Sequence, residues 1–170
     1  HVSKHMRNAV GLIISIVLYL TISCNDKPIE PFELSVADYN YSLAYSVLYN
    51  LTNEKLTITF RGELENEKDS ILYSTSDLPK RQLKKISEIN IASLNTDYSN
   101  DCIDDGDVKS FTIEKDSRSK TIHLSNYYHP ELSPVIELIN GIVPEKYEMN
   151  YDKADLIQEL KNCEEYKNAE

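Results

Sequence analysis

From residue 41 the chain alternates between apolar and polar positions. Tyr41, Leu43, Tyr45, Val47 and Tyr49 share one parity against Ser42, Ala44 and Ser46, the period of a half-buried strand. Asn50 to Lys55 supply turn residues. Leu56, Ile58 and Phe60 then alternate with Thr57, Thr59 and Arg61, so the two segments read as a hairpin. The second strand is expected to continue through Gly62 and Leu64 to a polar turn at Asn66-Glu67-Lys68-Asp69, with residues 70–75 as its return strand. Lys109 to Lys115 and Lys120 to Ser125 form a further hairpin around Asp116-Ser117-Arg118-Ser119. Its inward positions are Phe111, Ile113, Ile122 and Leu124.

Helical spacing appears three times. Asp77-Leu78-Pro79 places an acid and a proline where a first helical turn accepts them. Leu83, Ile86, Asn90 and Leu94 share one face of the helix that follows, with Ile89 beside it. Tyr98 to Asp107, rich in Asn and Asp, reads as a loop. After Pro130 and Pro134, the residues Val135, Ile136, Leu138, Ile139, Ile142 and Val143 make a helix apolar on most sides, hence buried, which Pro144 ends. Tyr147, Met149 and Tyr151 alternate as a short edge strand. Asp152 is placed to cap a last helix with Leu156, Leu160 and Cys163 as its inner stripe.

Two segments echo each other. Ile58 to Leu94 and Phe111 to Val143 each run strand, polar turn, strand, proline, helix. The expected fold is α+β, with a four- to six-stranded antiparallel sheet of β-hairpins and two or three helices packed on one face, built on a ββα pseudo-repeat. Residues 39–170 are expected to form this single domain.

The N-terminal stretch is of another kind. Lys4 and Arg7 precede an apolar run from Ala9 to Ile22, after which the sequence turns polar and acidic. The run is about 14 residues, short of the roughly 20 that cross a bilayer. A basic start, a short apolar stretch and a small residue at the break predict a signal peptide over residues 1–23, with Met6 as initiator and residues 1–5 upstream of it. Ile22-Ser23-Cys24 resembles a bacterial lipobox, with Thr21 where leucine is usual, in the manner of the looser lipoboxes of Bacteroidota envelope lipoproteins. The resemblance implies lipid on the thiol of Cys24, residues 24–38 as anchor and tether, and an envelope location, outer membrane or periplasmic.

Charge then narrows the partners. The 170 residues carry a net charge of −10. Loss of residues 1–23 removes Lys4 and Arg7 and no acid, leaving 16 Lys+Arg against 28 Asp+Glu, a net charge of −12. Such a field repels nucleic acid and favours basic partners. Glu63, Glu65, Glu67 and Asp69 share one parity and form an acidic stripe, read first as a solvated strand face or edge guard and alternatively as a docking strip for a cationic protein.

With Cys24 lipidated, Cys102 and Cys163 remain as an even pair in an exported protein, which predicts a disulfide. Two free thiols are the first alternative, and a zinc site of Cys102, His123, His129 and Cys163 the second, whose spacings match no compact ligand pattern. Asp101, Asp104, Asp105, Gly106 and Asp107 invite a calcium loop. Aligned on Gly106, however, Ile103 and Thr112 fall where acids are required. No G-x-S-x-G, H-E-x-x-H, P-loop, G-x-G-x-x-G or C-x-x-C is present. His123 and His129 read as surface residues, and no cofactor is expected. Asp69-Ser70-Ile71 resembles the O-glycosylation sequon of exported Bacteroidota proteins, which makes Ser70 a candidate acceptor. Asn40-Tyr41-Ser42 and Asn50-Leu51-Thr52 fit a eukaryotic N-glycan pattern that a bacterial lipoprotein has no use for.

The function expected is a non-catalytic binding module on a lipid anchor, in its specific form an immunity or inhibitor protein against a basic partner. Two alternatives stand beside it: an envelope enzyme with a site at Tyr127, Tyr128 and His129, and a structural envelope lipoprotein.

Overall fold

Alternation along the chain becomes a seven-stranded sheet in the computed structural model, which describes residues 28–40, 45–62, 65–104 and 106–168. The strands are β1 (Glu33–Asn40), β2 (Tyr45–Thr52), β3 (Leu56–Gly62), β4 (Ser70–Thr75), β5 (Asp97–Ser99), β6 (Val108–Lys115) and β7 (Arg118–Ser125). Their order is β4-β3-β2-β1-β6-β7-β5. Every neighbouring pair is antiparallel except β5 with β7, which is parallel. The fold is α+β with a mixed sheet, one strand beyond the expected range.

One face is apolar. Leu34 and Val36 of β1 lie opposite Leu51 and Tyr49 of β2 on one side, and Ile113 and Phe111 of β6 on the other. Leu56, Ile58, Ile122 and Leu124 extend this layer across the sheet, all of them buried. Helix α1 (Lys80–Ser87) adds Leu83 and Ile86, and helix α2 (Ser133–Asn140) adds Val135, Ile136 and Ile139 to the same core. The opposite face carries a row of one residue per strand: Ile71, Thr59, Leu48, Ala37, Ser110, His123 and Asp97. Helix α3 (Lys153–Lys167) buries only Cys163, while Leu156 and Leu160 of its expected stripe are half-buried. Asp152 caps it, its Oδ1 accepting from the backbone N–H of Ala154 and Asp155 at 2.9 and 3.0 Å.

Several expectations are corrected. Residues 33–38, assigned to the tether, belong to β1, which lies at the centre of the sheet. Phe32, Leu34 and Val36 are buried with strand parity, a signal shortened by the two prolines before it. Strand β2 runs on to Thr52, so the turn after it is shorter than residues 50–55. Tyr98–Asp107 is not wholly loop, because residues 97–99 form the parallel edge strand. Helix α1 stops at Ser87. Ile89, Ile91 and Leu94 are buried from irregular turns after it, and Lys120 Nζ donates to the Leu94 carbonyl there. No strand forms at Tyr147, Met149 and Tyr151; a 3₁₀ turn (Glu145–Tyr147) comes first and the chain then runs extended. The hairpin of β6 and β7 is tighter than expected. Asp116 and Ser117 both have positive φ (53° and 60°), the two-residue type I′ geometry that matches strand twist.

The two ββα units are present, as β3-β4-α1 and β6-β7-α2, on either side of the β1-β2 pair.

Candidate binding groove

Helices α1 and α2 leave a groove of about 980 Å³ between them. Ile86, Ile89, Val135, Leu138 and Ile142 form its apolar lining, with Pro79, Pro130 and Pro134 at its margins. Glu88, Glu131, Glu137 and Lys85 also line it, and Lys153 pairs with Glu137. The walls are fixed from both ends. Lys115 of β6 donates to the carbonyl of Ser87 at the C-terminus of α1. At the other wall, Glu137 of α2 accepts from the hydroxyl of Tyr151 at 3.1 Å and pairs with Lys153 at 3.0 Å. Burial first, and then the Glu137 carboxylate, hold the Tyr151 hydroxyl protonated above its usual range. The hydrogen bond to Glu137 likewise holds the Lys153 ammonium above its ordinary value.

The start of α2 is organised by His129. This histidine is 7% exposed, which corrects its expected place on the surface. Its Nδ1 accepts from the backbone N–H of Glu131 (3.2 Å) and Leu132 (3.3 Å), while its own N–H donates to Ser133 Oγ at 2.9 Å. These bonds close the turn of residues 129–132 that leads into α2, whose own N-cap, Leu132, makes no side-chain cap bond. Burial lowers the imidazole pKa, partly offset by Glu131. The neutral Nδ1 acceptor is therefore the form the turn requires. Tyr98 packs its ring against His129 at 4.5 Å and against Tyr127 at 5.5 Å, and Lys153 lies 5.2 Å above the Tyr128 ring. His129 thus closes the turn before α2, its Nδ1 occupied by two backbone donors, with Tyr98 and Tyr127 packed beside it.

Other candidates fall elsewhere. Cys102 and Cys163 are joined by a disulfide with Cα atoms 5.7 Å apart, tying α3 to the loop after β5. This removes both thiols from the zinc alternative. His123 lies on the open face of the sheet, opposite Ser110 and Asp97. Among the described residues no group of three or more His, Cys, Asp and Glu is arranged to hold a metal ion. In the Asp-rich loop, Asp101 accepts from Ser99 Oγ at 2.7 Å and pairs with Lys167 at 3.1 Å; these bonds pull its carboxyl below the usual range. Asp104 is exposed and Asp105 lies outside the described residues. Gly106 is there for the backbone: its φ is +148°, and an added Cβ would stand 2.1 Å from Asn126 Oδ1. The acidic stripe is not one face of a strand. Glu65, Glu67 and Asp69 are exposed, as a solvated segment requires, but in the connection between β3 and β4, where strand parity no longer applies, and Glu63 lies outside the described residues. Ser70 is the exposed first residue of β4. Asn50 donates to Glu33 Oε1 at 2.7 Å on the open face. Cys24 and residues 41 and 42 lie outside the described residues.

The sequence reading passed over one buried ion cluster. Lys109 is 2% exposed and pairs with Asp38 at 2.8 Å and with Asp107. Burial first and Asp38 second keep the nearby Tyr49 hydroxyl protonated beyond its usual range. The signal was available in parity, since Lys109 shares the inward phase of Phe111 and Ile113. The groove had no such signal, because its walls come from helices some fifty residues apart.

No family model, curated protein or solved structure matches the chain.

Proposed function

We propose that the protein is a lipid-anchored binding module of a bacterial envelope, with no catalysis of its own, whose groove between α1 and α2 receives an apolar face of a basic protein. The observation that carries this reading is the groove itself, apolar in most of its lining, with Glu88, Glu131 and Glu137 among the rest. An apolar groove between two helices supplies affinity by burying hydrophobic side chains of a ligand helix or loop. Glu88 and Glu131 in the lining, and the net charge of −12 once residues 1–23 are gone, attract a cationic ligand from a distance. The apolar run and Cys24 support the anchor. A small acidic module held at the membrane against a basic enzyme is an immunity or inhibitor protein.

The test uses a cationic lysozyme as first probe, with surface plasmon resonance on the wild type, Leu138→Glu and the double variant Glu88→Lys/Glu131→Lys. Leu138 is half-buried on α2, so a carboxylate there fills the groove while the helix keeps its core side. The wild type is expected to bind with an association rate that falls with added salt, as the Debye length shrinks from about 10 Å at 0.1 M to about 3 Å at 1 M. Leu138→Glu is expected to bind at least tenfold more weakly, and the double variant to associate more slowly. Affinity capture from envelope extract with the same three proteins extends the test to other partners. Capture of the same proteins by all three would refute the groove as the binding site.

A further inference from the structure

The described chain begins close to Cys24 and is held from its first residues. Ile29 packs against the core, Glu30 pairs with Lys115 at 2.9 Å, and Phe32 is buried. Any tether from Cys24 therefore ends by Pro28, ten residues before the expected boundary at 38. From Cys24 to Pro28 the covalent chain reaches at most about 14 Å. Lys115 opens the turn between β6 and β7, and Glu33 pairs with Thr52 just before the turn between β2 and β3. Both turns thus lie at the end of the sheet where the anchored chain enters.

We propose that this end, formed by residues 53–55 and 116–118, faces the lipid surface. The proposal rests on the lipid at Cys24 and adds the orientation of the domain upon it. A tether of four residues leaves little freedom to turn an eight-residue strand, about 26 Å long, end over end. The charge distribution agrees. At the entering end the turn tips pair Glu54 with Lys55 and Asp116 with Arg118 in sequence. At the other end lie the turn with Glu65, Glu67 and Asp69 around Lys68, and the loop with the exposed Asp104, whose neighbours Asp101 and Asp107 are paired with Lys167 and Lys109. An anionic lipid surface repels that far end and tolerates the near one. The partner of the near end is the headgroup layer of the membrane that holds the anchor. The consequence for function is that the acidic loops point away from the membrane, where a cationic protein arrives.

The experiment places the full processed protein in vesicles of phosphatidylethanolamine and phosphatidylglycerol containing a headgroup-nitroxide lipid. Single introduced cysteines at Glu54→Cys, Ser117→Cys, Glu65→Cys and Asp104→Cys, all at exposed positions, carry bimane. Quenching is expected to be severalfold greater at 54 and 117 than at 65 and 104. Equal quenching at all four, or the reverse order, overturns the orientation. The mass of the N-terminal peptide from the same sample reports the lipid. An unmodified Cys24 overturns the anchor and the orientation together, whereas a lipidated Cys24 with uniform quenching overturns the orientation alone.

Discussion

The side-chain amide of Asn140 holds Met149 as a neighbouring strand would: its Nδ2 donates to the Met149 carbonyl at 2.9 Å, and its Oδ1 accepts from the Met149 N–H at 2.9 Å. Met149 is 2% exposed, so neither backbone group has water as a substitute. This pairing turns the chain after α2 back onto the core, where the Tyr147 carbonyl accepts from the Tyr49 hydroxyl at 2.9 Å. Asn140→Leu removes both bonds and strands two buried polar groups, at roughly 1–3 kcal/mol each. Urea denaturation is expected to show a loss of about 3 kcal/mol. A loss under about 1 kcal/mol, the net worth of one ordinary hydrogen bond, would mean that Met149 finds other partners.

Helix α3 depends on its disulfide more than on packing. Among its described side chains only Cys163 is buried, and the Cys102–Cys163 bond closes a separation of 61 residues. Removing such a link costs about 4 kcal/mol on the chain-entropy model. Cys102→Ser/Cys163→Ser is expected to lower the stability of the whole domain by about that amount. Hydrogen exchange should also locate a local effect, with the amides of residues 153–167 losing protection before those of β1 and β6. Uniform loss across both regions would contradict it.

Lys109 is the only lysine among the described residues whose side chain is buried to this degree, and its partners Asp38 and Asp107 are 22% and 32% exposed. Deleting one member of a buried ion pair leaves the others uncompensated, at about 3–5 kcal/mol. The partial exposure of the two carboxylates lets water reach them, which places Lys109→Ala at the low end, about 3 kcal/mol. Chemical denaturation at neutral pH measures it. A change below about 1 kcal/mol would place the cluster with ordinary surface ion pairs.

The His129 turn sets a pH dependence. Burial holds the folded imidazole neutral, with its pKa below the ordinary 6.5. As pH falls through about 6.5 the unfolded chain takes up the proton first, so stability contributed by the neutral imidazole is full above that pH. It is then lost progressively until the folded pKa is passed. His129→Asn keeps a side-chain acceptor for the Glu131 and Leu132 amides but does not titrate there. The thermal midpoint of the wild type is expected to fall more steeply than that of the variant between about pH 7 and pH 5. Parallel curves would show that His129 does not supply the dependence.

Neighbours along the chain are enough to explain part of this fold. Period-two alternation marked β2, β3, β6 and β7 and the inward side of each, Asp152 announced α3, and an even cysteine pair announced the disulfide. Each of these is a local pattern whose physical cause lies within a few residues or in redox chemistry. Tertiary structure alone decided which strands lie side by side. Leu34 and Val36 form too short a run behind Pro28 and Pro31 to declare a strand, and they become the centre of the sheet because β2 and β6 flank them on both sides. The three residues of β5 carry no periodicity; pairing with β7 makes them a strand. The groove between α1 and α2, the burial of Lys109 and the turn-closing role of His129 are of the same kind. Each requires groups distant in sequence, or a turn geometry set by packing, and periodicity reports which side of an element is apolar without naming what will cover it.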